Sequence, residues 1–123
     1  MDLIGLHRYL AWFIVFFNAL AGLLALVAHF KPALRKPSIW KLTVVAQVLL
    51  FVQAIIGVIV FQGKEEIVDE FHLFYGFFAL ATVGFMFAYR EQLKDYIYLM
   101  YGVGGIFLMG LAIRAMQISA VIE

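Results

Sequence analysis

The chain contains no cysteine, only two prolines, and charged residues amount to 14% of its 123 positions. Without cysteine there is no disulfide framework, no thiolate metal site, no cysteine nucleophile and no membrane thiol–disulfide relay. With a formal net charge of +1 and no clustered basic stretch, nucleic acid is excluded as a partner. What fills the chain instead is apolar: 66% hydrophobic and 17% aromatic residues, where soluble domains carry roughly 45–50% apolar residues. A domain of this size buries only about 60–70% of its unfolded surface. That much apolar surface therefore calls for a lipid bilayer.

Crossing a hydrocarbon core of about 30 Å takes roughly 20 apolar residues in a helix. Four runs qualify, over about 5–30, 41–62, 71–89 and 96–118, separated by short polar connections at 31–37, 62–70 and 90–95. Pro32 and Pro37 end the first helix and restart the chain, since proline lacks an N–H and disfavours helix at the preceding residue. The first run does not read as a cleaved signal peptide: it has no basic leader, it follows Asp2, and its apolar stretch is too long. Lys31, Arg35, Lys36, Lys41, Arg90 and Lys94 fall in two connections on one side, while the opposite side carries Arg8, Lys64 and Arg114 and the acidic set Glu65, Glu66, Asp69 and Glu70. The positive-inside rule then puts the two basic connections in the cytoplasm and both termini outside. The expectation is a single all-α domain spanning 1–123, an integral membrane up-down four-helix bundle, located in a prokaryotic plasma membrane.

Polar groups inside membrane spans are costly and mark function by default. Here they are His7, Arg8, Asn18, His29, Gln47, Gln53, His72, Thr82, Arg114 and Gln117. His7 precedes Lys31 by 24 positions and His72 precedes Arg90 by 18, which sets the two imidazoles about 36 and 27 Å from the cytoplasmic boundary. Tilt and the reach of long basic side chains absorb much of that difference. Two imidazoles near the outer surface, on two helices of one bundle, are the arrangement that haem iron requires of its axial ligands.

Residues four apart share a helical face. Ala11, Ile14, Asn18, Gly22 and Ala25 follow His7, and Gly76, Ala79, Val83 and Met86 follow His72. Small side chains, Ala11 and Gly76 foremost, thus leave room for a flat ring. Arg114 lies 19 positions beyond Asp95, about 28 Å along its helix, and with Arg8 it suits pairing with two haem propionates. The competing readings are ordinary: interfacial histidines in contact with headgroups, and arginines reaching lipid phosphates. His29 has no second histidine at its level and reads as interfacial; the glycines 102, 104, 105 and 110, together with Gln53 and Gly57, read first as helix-packing residues.

LeuHisArgTyrLeuAla at 6–11, GlnValLeuLeuPheValGlnAlaIleIleGlyValIleVal at 47–60 and PheHisLeuPheTyrGlyPhe at 71–77 together resemble one half of a haem A synthase. Proteins of that family contain two repeated four-helix bundles, each with a His-Arg at the head of one helix, a Gln-x-x-x-Gly helix and a His-Leu helix. The resemblance covers roughly residues 5–80 and rests on about six polar or glycine positions. It implies one haem b per chain, with His7 and His72 as the iron ligands. The family's substrate half also carries a Glu four residues before its histidine; Leu3 and Val68 stand there in this chain, with Asp2 one position off register. The family's outer-loop cysteine pair is absent too.

The expected function is therefore a membrane b-type cytochrome that passes electrons, with lipid and haem as partners and either a second copy of itself or a respiratory assembly beside it. The alternatives are a half-length haem A synthase completed by self-association, a haem-free small transporter of the four-helix multidrug type, and an assembly subunit. A proton-coupled transporter of that type needs a carboxylate within its spans, and no span carries one at mid-depth.

Overall fold

The computed structural model describes residues 2–62 and 70–122, with side-chain burial described as far as Ile118. Lys64, Glu65, Glu66, Val68 and Asp69 lie outside the described residues. Four helices account for most of the chain: α1 (Leu3–Phe30), α2 (Pro37–Gln62), α3 (Glu70–Ala88) and α4 (Ile97–Ile122). Single 3₁₀ turns at Pro32–Leu34 and Lys94–Tyr96 interrupt the two basic connections, and no strand occurs among the described residues. Each of the four helices is long and apolar enough to cross a membrane.

The helix ends follow from local chemistry. Asp2 caps α1, its Oδ1 accepting the Gly5 N–H at 2.8 Å. At the other end of α1, the Arg35 Nε and Nη2 groups donate to the carbonyls of Ala28 and His29, both at 2.9 Å, and so satisfy two oxygens the helix leaves open. Helix α2 starts at Pro37, four residues before the apolar run does, because proline's fixed φ and missing N–H suit the first helical position. The polar turn Ser38–Lys41 is thus helical although hydropathy alone ends the span at Lys41.

Packing centres on α4, which lies against both α1 and α3; α1 also packs on α2, while α2 and α3 barely meet. The α1–α4 contact is backbone on backbone. A Cβ built on Gly105 would stand 2.7 Å from Gly22 Cα, one on Gly22 2.8 Å from Ile106 N, and one on Gly102 2.8 Å from Leu26 Cα. Small residues of this kind let helices approach where lipid offers no hydrophobic incentive for association. Gly104 is turned the other way, toward Met86 of α3. One core cluster joins Ile14, Leu50, Ala79, Val83, Met86, Leu108 and Leu111. A second, near the basic connections, joins Ala25, Ala28 and Ile39 beneath Tyr98 and Tyr101.

At that same end Trp40 stacks on Tyr98 (ring centroids 4.8 Å apart), Arg35 lies 4.9 Å from the Tyr98 ring centre, and His29 lies 6.3 Å from Tyr96. These contacts gather the two basic connections at one end of the bundle, as an up-down topology requires. The outer surface is strongly apolar, with Phe30 and Phe77 each 72% and Trp12 66% exposed. Monomeric soluble proteins do not carry apolar surface on this scale.

Candidate functional site

The end of the bundle away from the basic connections collects one residue or more from every helix. His7 lies in the second turn of α1 and His72 in the first turn of α3, and their ring centroids stand 6.2 Å apart with the ring planes crossed at 64°. The two rings are thus neighbours in the assembled bundle, although counting along the separate helices sets them about 9 Å apart in depth. That offset arises at the far end: α1 runs 28 residues to Phe30, whereas α3 stops after 19 at Ala88, so counting back from the basic connections uses origins at different heights.

Each histidine is held by a helix other than its own. The Nδ1 atom of His72 lies 2.9 Å from the carbonyl oxygen of Ala115 on α4. That carbonyl can only accept, so Nδ1 is the donor, and in a neutral ring Nε2 then keeps its lone pair. His7 meets α2 twice. Gln53 Nε2 donates to the His7 carbonyl oxygen at 2.6 Å, and a Cβ on Gly57 would come within 3.1 Å of His7 Cε1. Gly57 is thus the position that admits the imidazole against α2. Among the described residues, three buried side-chain polar atoms have no hydrogen-bond partner: His7 Nδ1, Gln53 Oε1 and, at the other end, His29 Nδ1.

The spacing of the two rings bears on what they could hold. Metal–imidazole bonds run about 2.0–2.1 Å, so two imidazoles sharing one ion, with about 1 Å from ring centre to nitrogen, stand about 6 Å apart centre to centre. The observed 6.2 Å matches. No third His, Cys, Asp or Glu joins the pair among the described residues. Helices α2 and α3 scarcely touch, and Gly76, one turn below His72, has nothing within 4 Å of where a Cβ would stand. The residues present fit a bis-imidazole haem.

The other expected site residues fall in varied places. Arg114 is exposed on α4, immediately before the residue that anchors His72, and its Nη1 approaches Gln117 Oε1 at 3.5 Å. Arg8 is exposed beside His7, and Ala11 is half-buried one turn further on. The deeper parts of the two small-residue stripes serve helix packing: Ile14, Asn18, Gly22 and Ala25 of α1 and Ala79, Val83 and Met86 of α3 are all buried in the bundle. His29 lies at the far end, half-buried against Phe30 and Tyr96. The Asp2 carboxylate is engaged in capping α1.

Gln53 and Gly57, read from the sequence as packing residues, do join α2 to α1, and they do so at His7. Their i, i+4 spacing signals a shared face, though not which helix that face meets. The Ala115 carbonyl, being backbone, left no trace in the sequence. Lower down, α3 and α4 enclose an apolar groove of about 860 Å³ whose walls include Phe78, Phe85, Met100 and Phe107. Its lining includes no imidazole and no carboxylate, so it stands apart from the histidine layer.

The chain matches no protein-family model, and neither a curated protein nor a solved structure is significantly similar to it.

Proposed function

We propose that the protein is an integral membrane cytochrome in which His7 and His72 bind one haem b from opposite faces, with both termini and the haem edge on the outer side of the membrane. The observation that carries the reading is the 6.2 Å separation of two imidazoles from different helices, at a level where one of them already donates its second ring N–H to a backbone carbonyl. That pattern of outer support is what metal-ligating histidines commonly show, because it fixes the tautomer and the ring orientation.

Bound haem supplies reversible one-electron chemistry at its iron. The chain's own part is to orient the ligands and set the surroundings. His72 is fixed to α4 through Ala115, and His7 is lodged between α1 and α2 by Gly57 and Gln53. Arg114 and Arg8 lie at the polar rim, where guanidinium groups suit the carboxylates of haem propionates. Apolar walls below that rim keep water from the iron and so raise the cost of charge there, a direct lever on redox potential. The absence of a mid-span carboxylate and the engagement of Asp2 in a helix cap favour electron transfer over oxidation of the haem itself.

The test is spectroscopic. Purified protein from haem-replete cells shows a sharp Soret band and a reduced α band of b type. His7→Ala and His72→Ala each lose the six-coordinate spectrum, and His29→Ala keeps it. Folded protein that takes up no haem during expression or on later addition overturns the proposal.

A further inference from the structure

The two imidazoles are supported unequally. His72 donates Nδ1–H to the Ala115 carbonyl at 2.9 Å, a bond to the backbone of a neighbouring helix. His7 has a buried Nδ1 with no hydrogen-bond partner. The 2.6 Å bond from Gln53 ends on the His7 backbone oxygen, so it steadies the helix turn and does not reach Nδ1; the ring packs on the open face of Gly57 and edge-on against the His72 ring.

Outer hydrogen bonds raise ligand basicity and fix ring orientation, and losing one typically costs about 10–100-fold in metal affinity. A ring that ligates through Nε2 must also carry its proton on Nδ1. In His7 that N–H is buried without an acceptor, which adds a desolvation cost that ends when the ring swings away. The position of His7 allows such a swing. It lies in the second turn of α1, five residues after the Asp2 cap, where helix ends open at low cost, whereas His72 is tied across to α4.

We propose, on the basis of the haem reading above, that His72 is the retained ligand and His7 the releasable one, so that a small neutral ligand of the carbon monoxide class takes the place of His7 on ferrous iron. In that exchange the iron–nitrogen bond to His7 breaks and a bond from iron to the incoming carbon forms. No electron enters or leaves, and the freed imidazole stays neutral.

The experiment adds carbon monoxide to the intact, haem-loaded protein after dithionite reduction. The expected result is a shifted Soret band with haem still bound. Resonance Raman after photolysis then gives an iron–histidine stretch raised to the range of an imidazole that donates to a carbonyl, which identifies His72 without any substitution. His7→Ala retains one haem and binds carbon monoxide at least tenfold faster, and free imidazole restores the six-coordinate spectrum; His72→Ala loses its haem readily. Haem that keeps its unshifted bis-histidine ferrous spectrum under carbon monoxide overturns the exchange while leaving the bis-histidine reading intact. A photolysed stretch typical of an unbonded imidazole, or haem retained by His72→Ala but lost by His7→Ala, reverses the assignment. Protein that never takes up haem overturns both proposals.

Discussion

Substituting Gly105 tests whether backbone contact between α1 and α4 holds the bundle together. In Gly105→Ala the new methyl would stand 2.7 Å from Gly22 Cα and 3.0 Å from both Gly22 N and Asn18 O. All three neighbours are backbone, so no rotamer change relieves the clash. Ordinary contact begins near 3.4 Å, and the helices must separate by about 0.7 Å to reach it. Overpacking of this kind costs about 1–3 kcal/mol, while replacing a helical glycine by alanine returns roughly 0.5–1 kcal/mol through lower chain entropy. The net expectation is a loss of about 0–2.5 kcal/mol. Gly110→Ala supplies the control: nothing lies within 4 Å of its Cβ position, so only the favourable entropy remains. Gly104→Ala falls between the two, because its methyl meets the Met86 thioether, an unbranched chain that can rotate away. Unfolding from a mild detergent by titration with a denaturing one, followed by circular dichroism, should rank the variants Gly110→Ala, Gly104→Ala, Gly105→Ala in falling stability. Equal stability of Gly105→Ala and Gly110→Ala would refute the close-contact account of the α1–α4 pair.

Asn18 is 2% exposed, and its amide donates to Ile14 O at 2.9 Å and to Ala46 O of α2 at 3.5 Å. The second bond is at the limit of hydrogen-bond length, and interhelical bonds in membranes average only about 0.6 kcal/mol, so Asn18→Leu should alter stability by less than about 1 kcal/mol in the same titration. Arg35→Gln removes two 2.9 Å bonds to the end of α1 and the stack on Tyr98; it should cost about 1–2 kcal/mol, and Arg35→Lys should recover less than half, because an ammonium lacks the planar fork. Gly57→Ala places a methyl 3.1 Å from His7 Cε1, so the ring must yield by a few tenths of an ångström. In haem-loaded protein this should shift the low-spin electron paramagnetic resonance signal with little loss of haem, whereas Gly57→Leu should abolish six-coordination; an unchanged signal in both would separate Gly57 from the site.

Helix positions were legible in the sequence because a membrane span declares itself by length and apolarity, quantities a single segment carries alone. The start of α2 shows where that signal stops. Ser38, Trp40 and Lys41 do not extend the apolar run, yet they are helical, with proline at the first position and Trp40 packed at a tilt on Tyr98 and edge-on against Tyr101. Which face of each span meets which neighbour is harder to read, for a physical reason. In water an apolar stripe marks the buried side of a helix; in a bilayer the lipid-facing side is apolar too, and the stripe disappears. The α1 face bearing Ile14, Asn18, Gly22 and Ala25 was readable as a surface of small residues, but small residues suit a flat cofactor and a second backbone equally well. The structure commits Gly22 to the second use, against Gly102 and Gly105, and leaves only the His7 end of that face for the first. Polar atoms escape the ambiguity because each must find a partner in a medium that offers few. His7, Gln53 and His72 stood out in the sequence for that reason. The same scarcity makes the unpartnered Nδ1 of His7 an informative atom in the site: a buried ring nitrogen without a hydrogen-bond partner is a cost that calls for a reason.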